Sequence, residues 1–262
     1  MLPLEQFRAA GSIHTVFTDI DDTLTTDGAL LAETYDAMER LHRAGVRIVP
    51  VTGRPAGWCD HIARLWPIDG IIGENGAVYY WYDRSSGKLR QRHICDEKTR
   101  RGNVERLAAV RAHILHAVPE CNVASDQFCR LYDLAIDVCE DVPPLPEHKI
   151  DQIVALMQQA GMTAKVSSIH VNGWFGVYDK LSMTQLFVAE QWGEDLDTLR
   201  AHSVFAGDSP NDEPMFRYFP HSIGVANVRE YTARMSSPPA YVTQGAGGHG
   251  FVELAEYLLE PR

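Results

Sequence analysis

Residues 13–25 read IHTVFTDIDDTLT, and this stretch decides the expected fold. The run from Ile13 to Thr18 is short, apolar and β-branched, which predicts a buried strand. The acidic sequence DIDD follows directly at residues 19–22. Ligands of open parallel sheets bind at the carboxyl ends of the strands. These carboxylates therefore lie where a functional site is expected.

The three acidic side chains of this stretch are Asp19, Asp21 and Asp22. Three carboxylates within four residues repel one another strongly unless a cation lies between them. Carboxylate oxygens suit Mg²⁺, which also binds substrate phosphate and water. A polar strand-to-helix turn is the alternative interpretation, because Asp and Thr are common in turns.

Strands and helices alternate on both sides of the chain's middle. A helix is predicted from Leu30 to Arg43 and a strand from Val46 to Val51, and the pattern resumes from Leu181 onward. Strands separated by helices in this way predict an α/β fold with a parallel sheet and right-handed crossovers.

The middle of the chain has a different pattern. The sequences SSG at residues 85–87 and NG at residues 172–173 each indicate a β-hairpin, and helices are predicted between them. We therefore expect an inserted α+β domain at residues 84–177. Residues 1–83 and 178–262 would form the parallel core.

The sequence GDSPND at residues 207–212 follows another predicted core strand. A helix start explains Ser209 as the N-cap, Pro210 as the first helical residue and Asp212 as the partner of a capping box. It does not explain Asp208, an acid at the strand end.

Two further segments are ambiguous when taken singly. Thr52 and Gly53, in the sequence VTGRP, stand at a predicted helix N-terminus. Free N–H groups there form an anion site, although a simple Thr cap with a Gly turn is the alternative. Lys180 precedes a core helix, and a lone lysine there is typical of surface charge.

Together, DIDDTLT, VTGRP, a long insertion, Lys180 and GDSPND resemble the four ordered motifs of the haloacid dehalogenase (HAD) superfamily of phosphohydrolases. A cap inserted between the second and third motifs is similar to subfamily IIB, which contains sugar phosphatases and phosphomannomutases. The sequence ENGA at residues 74–77 also looks like a segment of that subgroup. The resemblance implies a Rossmann-like parallel-sheet core with an inserted α+β cap domain.

The resemblance also implies an Mg²⁺-dependent phosphatase acting on a small-molecule phosphomonoester, with a sugar phosphate as the expected class. Asp19 would be the nucleophile that forms an aspartyl-phosphate, and Asp21 the general acid and base. Asp19, the backbone carbonyl of Asp21, and Asp208 would bind Mg²⁺. Asn211 and Asp212 would support the ion.

Thr52, Gly53 and Lys180 would bind the phosphate in this resemblance. The sequence departs from the family pattern at two positions. Leu181 stands where many relatives have glycine after the motif lysine, and Asp22 replaces a frequent glycine. Asp22 is interpreted as a solvated turn residue or as an outer acid of the metal site.

Substrate specificity is expected to reside in the cap and at its edge. The candidate substrate-binding residues are polar or aromatic and comprise Asn75, Arg130, His170, Asn172 and Trp174. The alternative is structural, because Trp174 can pack within a hairpin and Asn172 can supply its turn.

Two other functions remain open at this point. A phosphotransferase or phosphomutase would pass the phosphoryl group to a sugar hydroxyl rather than to water. A non-catalytic binding protein could also keep the same fold.

Composition limits the possible partners and location. The chain has 24 Lys and Arg residues against 35 Asp and Glu residues, a formal net charge of −11. This charge disfavours nucleic acid and anionic membranes as partners. Five cysteines without a C-x-x-C pair, and no apparent signal peptide, predict free thiols and a cytoplasmic protein. The oligomeric state is left open.

Overall fold

The computed structural model describes residues 1–167 and 169–260. Within them, six parallel strands form the central sheet, and Val16 lies opposite Val204 on one side and Ile48 on the other. In sheet order, the strands are Leu2–Pro3, Tyr241–Val242, Ser222–Gly224, Ser203–Gly207, Thr15–Thr18 and Arg47–Pro50.

Helices cover both faces of this sheet. Side chains alternate along each strand, so Val16 packs into one apolar cluster and Phe17, the next residue, into the other. Full burial of one such side chain stabilises the fold by about 1.5–3 kcal/mol. The covering helices are Ala32–Arg43, Ala56–Leu65, Lys180–Phe187, Leu196–Leu199, Glu213–Tyr218 and Gly247–Leu259.

A second, antiparallel sheet lies between Asn122 and Trp174, and two helices pack on it around Ile114 and Met157. Its strands, in sheet order, are Thr163–Val166, His170–Trp174, Asp133–Asp137 and Asn122–Val123. Its helices are Glu97–Ala117 and Glu147–Gln159. We call this sheet, its helices and their connections the inserted unit. The structure thus confirms the predicted α/β fold, a Rossmann-like core with an α+β insertion.

Two small sheets complete the described elements. Strands Ile71–Gly73, Val78–Asp83 and Lys88–His93 form an antiparallel sheet, which a bridge from Val51 to Ile72 connects to the central one. Thr25–Thr26 and Ala29–Leu30 form a hairpin. The hairpin predicted at residues 85–87 is confirmed. The predicted boundary at residues 83/84 falls in the turn between the paired strands Val78–Asp83 and Lys88–His93. The domain boundaries at residues 83/84 and 177/178 stay a prediction.

The hairpin turn predicted at Asn172 and Gly173 is wrong, because both residues lie inside strand His170–Trp174. Asn172 pairs with Ala135 and with Lys165, so its strand is central. Packing explains the glycine, since a Cβ at position 173 would lie 2.5 Å from the sulfur of Met157. The predicted strand from Thr163 to Val171 includes Ser168, which is outside the described residues.

Short turns of helix connect these elements. They are the 3₁₀ segments Leu4–Gln6, Ala10–Ser12, Glu74–Gly76, Gln127–Cys129, Arg200–His202, Pro210–Asp212, Ala226–Glu230 and Thr232–Arg234, and the π segment Val188–Trp192. In the part of the chain that the structure describes, no helix is both long and apolar enough to cross a bilayer.

Candidate active site

Three neighbouring strands of the central sheet end at the same edge, and a predicted site residue follows each of them. Asp19 follows Thr15–Thr18, and Asp208 follows Ser203–Gly207. Thr52 lies just beyond the neighbouring strand Arg47–Pro50. The parallel topology therefore brings together residues that are far apart in the chain.

Lys180 lies between two acids at this edge. Its Nζ atom is 2.9 Å from Oδ1 of Asp19 and 2.6 Å from Oδ1 of Asp212, and all three side chains are buried. Lys180 is the first residue of its helix, whose N-cap Asp179 forms a capping box with Ser182. This capping box starts the helix without the glycine that many relatives have after the lysine.

Asp19, Asp208 and Asp212 form a compact acidic cluster. One oxygen of each carboxylate lies within 4.8 Å of the others. Burial raises the pKa of Asp19 to about 7, against the opposing charge of Lys180. Burial and the neighbouring acids also raise the pKa of Asp208 well above its usual value. A divalent cation would relieve this cost, and three hard oxygen donors fit Mg²⁺.

Neighbouring groups hold this cluster in place. Asp208 accepts hydrogen bonds from Thr23 at 3.4 Å and from Asn227 at 3.3 Å, and its backbone N–H donates to Asp212. A side chain at Gly207 would collide with the Asp212 carboxylate. The position thus requires glycine for close packing rather than for a turn.

Asn211 and Asp22, in the GDSPND and DIDDTLT motifs, contribute to the structure of the loops that contain them. Asn211 Oδ1 accepts a hydrogen bond from the Ser209 hydroxyl at 2.9 Å. Asp22 has a left-handed backbone with φ of 54°, which explains why glycine is frequent at this position in relatives. Its backbone carbonyl accepts a hydrogen bond from Asn227. Asp22 is therefore a turn residue next to the cluster.

Thr52, Gly53 and Asn75 form the neighbouring wall. The buried Thr52 hydroxyl accepts a hydrogen bond from the Arg54 backbone N–H at 3.0 Å. A Cβ at Gly53 would lie 3.2 Å from Nδ2 of Asn75. Among the described residues, that buried Nδ2 has no hydrogen-bond partner. Asn75 therefore retains donor capacity beside the predicted phosphate-binding loop.

The inserted unit faces this edge with Arg130, His170 and Asn172. These residues line one small cleft together with Asp19 and Asp21. Arg130 donates to the carbonyl of Gly53 at 2.9 Å, which joins the two parts of the molecule.

Two of these side chains share one acidic partner, and the third lies beside a different acid. Asp133 pairs with Arg130 at 3.1 Å and accepts from Asn172 at 2.9 Å. His170 Nε2 lies 2.9 Å from Glu140.

Trp174 lies elsewhere, buried and stacked on Tyr178 with ring centroids 5.6 Å apart. These surroundings favour a structural role for Trp174, and its contact with substrate stays a prediction.

The cleft between the inserted unit and Asp19 has a cavity volume of about 10 Å³. A cavity of this volume holds about one water molecule.

Residues 16–111 match the family model described as haloacid dehalogenase-like hydrolase. The chain has the haloacid dehalogenase-like fold. This is the fold that the ordered motifs predict. The search of curated proteins gives no match.

Solved structures share the HAD-like fold over nearly the whole chain at low sequence identity. Thermoplasma acidophilum 0175 has a TM-score of 0.70 and 16% identity, covering 94% of this chain and 98% of its own. The sucrose-phosphatase of Synechocystis sp. PCC6803, in complex with sucrose and phosphate, has a TM-score of 0.63 and 15% identity, covering 93% and 97%. A HAD subclass IIB sugar phosphatase has a TM-score of 0.60 and 14% identity, covering 93% and 98%.

Arg54 is a site residue of this HAD-like chain that the motifs did not assign. Its Nε atom is 2.8 and 3.0 Å from the two carboxylate oxygens of Asp21. Its terminal nitrogens reach Asp126 at 3.4 Å and Glu140 at 3.1 Å, both in the inserted unit. Arg54 is buried, and its position in VTGRP next to the predicted phosphate-binding residues was the available signal.

Proposed function

We propose that this HAD-like chain is an Mg²⁺-dependent phosphatase that hydrolyses a small-molecule phosphomonoester through an aspartyl-phosphate at Asp19. The observation that carries this proposal is the buried contact between Asp19 and Lys180, with Asp208 and Asp212 beside it. It supplies a carboxylate nucleophile, a fixed cation for the phosphoryl group and an acidic cluster suited to a metal ion.

In the first step, an oxygen of the Asp19 carboxylate attacks phosphorus, and the bond from phosphorus to the leaving alcohol oxygen breaks. Asp21 gives its proton to that oxygen. Lys180 stabilises the charge on the phosphoryl oxygens, and Thr52, Gly53 and Asn75 offer donors near them. In the second step, water attacks phosphorus, Asp21 takes its proton, and phosphate leaves with Asp19 restored.

The role of Asp21 requires a rearrangement at Arg54. Arg54 Nε contacts both carboxylate oxygens of Asp21, at 2.8 and 3.0 Å, whereas the first step needs one of these oxygens to face the leaving alcohol. Arg54 already contacts Asp126 and Glu140 of the inserted unit. We infer that opening of the inserted unit draws Arg54 away and frees Asp21 for proton transfer.

The metal site would use Asp19, the backbone carbonyl of Asp21, and Asp208, with Asp212 and Asn211 in support. When bound, Mg²⁺ offsets the negative charge of the acids and of the phosphoryl oxygens. Without it, burial holds the pKa of Asp19 above its usual value, which disfavours the nucleophilic carboxylate form.

A sugar phosphate is the proposed substrate class. The sucrose-phosphatase and the subclass IIB sugar phosphatase that share this fold support it. Residues 84–177 would be the cap and residues 1–83 and 178–262 the core. Arg130, His170 and Asn172 would then bind hydroxyl groups of the leaving alcohol. The acidic charge argues against nucleic acid or membrane partners, and five free thiols suit a cytoplasmic location.

The direct test is phosphate release from a panel of sugar phosphates and from p-nitrophenyl phosphate. We expect release with Mg²⁺, loss with EDTA and recovery when Mg²⁺ is added back. Asp19→Asn should lose activity and keep its fold, whereas the control Asp60→Asn, at an exposed ion pair with Arg64, should keep both. Isomerised product without free phosphate would indicate a mutase instead, and full turnover by Asp19→Asn would refute the nucleophile.

A further inference from the structure

Glu74 is a fully buried carboxylate that accepts four backbone N–H groups from two parts of the molecule. Oε1 accepts from Ala56 at 2.9 Å and from Leu131 at 2.8 Å. Oε2 accepts from Tyr132 at 2.6 Å and from Asp133 at 3.1 Å. Ala56 begins a core helix, whereas the other three are consecutive residues of the inserted unit.

The backbone around Glu74 is held in an unusual conformation. Glu74 and Asn75 both have positive φ, 45° and 54°, which side chains other than glycine rarely adopt. Such a turn persists only where its surroundings determine it. Here the turn aims the carboxylate at the three N–H groups of the inserted unit, and charge-assisted hydrogen bonds of this kind are strong.

The same turn packs against the helix that carries Lys180. A side chain at Gly76 would collide with the backbone carbonyl of Asp179, the N-cap of that helix. Gly76 has φ of 105°. The ENG turn therefore contacts the phosphate-binding half of the site on one side and the inserted unit on the other.

The segment that Glu74 binds contacts two of the groups that face the nucleophile. Arg130 directly precedes it, and Asp133 at its end pairs with Arg130 and accepts from Asn172. Arg130 and Asn172 line the cleft with Asp19. A displacement of residues 131–133 would thus shift Arg130 and Asn172, two of the residues on the inserted unit's side of the cleft.

We propose that Glu74 is a positioning residue that docks the inserted unit over the phosphoryl site through its three hydrogen bonds to residues 131–133, while the fourth, from Ala56, holds Glu74 to the core. These three bonds help to hold Arg130 and Asn172 facing Asp19, together with the bond from Arg130 to Gly53, so opening and closing of the cleft breaks and remakes them. The docking itself follows from the contacts alone. Its consequence for catalysis rests on the proposed phosphatase function.

Glu74→Gln tests the docking with little change of shape. A glutamine keeps one acceptor oxygen but turns an NH₂ group toward two of the N–H donors, so at least two bonds are lost. We expect hydrogen exchange at the amides of Leu131, Tyr132 and Asp133 to speed up at least about tenfold, equivalent to about 1.4 kcal/mol of opening free energy. Exchange in the core strand Thr15–Thr18 should not change.

Glu253→Gln is the matched control. Its carboxylate also accepts backbone N–H groups, from Gln244 and Gly245, but all three residues lie in the core. Exchange at residues 131–133 should stay slow in this variant. Equal exchange at those amides in the native chain and in Glu74→Gln would overturn the proposal. So would an equal acceleration in strand Thr15–Thr18, because Glu74 would then stabilise the core in general.

Turnover of p-nitrophenyl phosphate gives the catalytic readout. The kcat/KM of Glu74→Gln should fall about tenfold, while its affinity for Mg²⁺, measured by calorimetry, stays native, because the acidic cluster is untouched. Glu74→Asp, too short to span both sets of donors, serves if the glutamine variant does not fold. If exchange is faster in Glu74→Gln but the native chain itself has no phosphatase activity, the docking is supported and the proposed function is rejected. Unchanged exchange would reject the docking alone.

Discussion

Replacement of Asp208 by asparagine should stabilise the metal-free protein, although it removes a side chain predicted to bind the ion. Oxygens of Asp208, Asp19 and Asp212 lie within 4.8 Å of one another. Two like charges at that distance repel by about 3 kcal/mol at an effective dielectric constant near 20. Asparagine cannot accept from both Thr23 and Asn227 as the carboxylate does, which costs about 1 kcal/mol.

The expected net gain is about 2 kcal/mol at pH 8, or about 4–8 °C in the melting temperature. The gain depends on pH with a definite sign. Because the pKa of Asp208 is raised in the folded state, the native carboxyl is tolerated at low pH while protonated. The native protein loses stability as the pH rises from the ordinary pKa of an aspartate carboxyl toward the raised pKa of Asp208 in the folded state. The advantage of Asp208→Asn should therefore be small at pH 5 and grow toward pH 8.

Scanning calorimetry in EDTA measures this difference at both pH values. Added Mg²⁺ should then raise the melting temperature of the native chain and have little effect on the variant. An Asp208→Asn variant that melts at or below the native temperature at pH 8 in EDTA would refute the argument, since the cluster would carry no electrostatic cost.

Three other substitutions test further parts of the site and fold. Lys180→Met should cost about 3–5 kcal/mol in urea unfolding at pH 8, because two buried carboxylates lose their cation; a cost under about 1 kcal/mol would speak against that pairing. Arg54→Met should raise the pKa of Glu140, which His170 and Arg54 hold at about 2 in the native chain. NMR titration of the carboxyl group measures this pKa, and an unchanged value in the variant would contradict the prediction. Gly173→Ala should destabilise by about 1–3 kcal/mol through overpacking against a methionine sulfur of the neighbouring helix, whereas an unchanged urea midpoint would restore the turn interpretation.

The fold and the acidic cluster could be predicted because their signals are local. An apolar strand followed at once by acids, as in residues 13–22, fixes both the strand and the position of its carboxylates. Parallel topology then brings Asp19 and Asp208 to the same edge without any further information. These features need only short sequence windows and general rules of sheet connection.

Contacts between the inserted unit and the core could not be predicted in this way. The partners of Arg54 are Asp21, Asp126 and Glu140, which are separated from it in sequence by 33, 72 and 86 positions. Nothing in the sequence around Arg54 reveals them. The dipeptide Asn172-Gly173 shows the opposite failure, because a local turn signal was overridden by helix packing. Glu74 was visible as part of a motif, yet three of its four N–H donors are set by the docked arrangement alone.

Trapping of the aspartyl-phosphate tests the proposed chemistry most directly. The chain would be incubated with p-nitrophenyl phosphate and Mg²⁺, quenched, reduced with borohydride and digested for mass spectrometry. Reduction should convert a phosphorylated Asp19 to homoserine, only when both substrate and Mg²⁺ are present. Rapid phosphate release with Asp19 unmodified, or with the label on another residue, would contradict a covalent mechanism at this carboxylate.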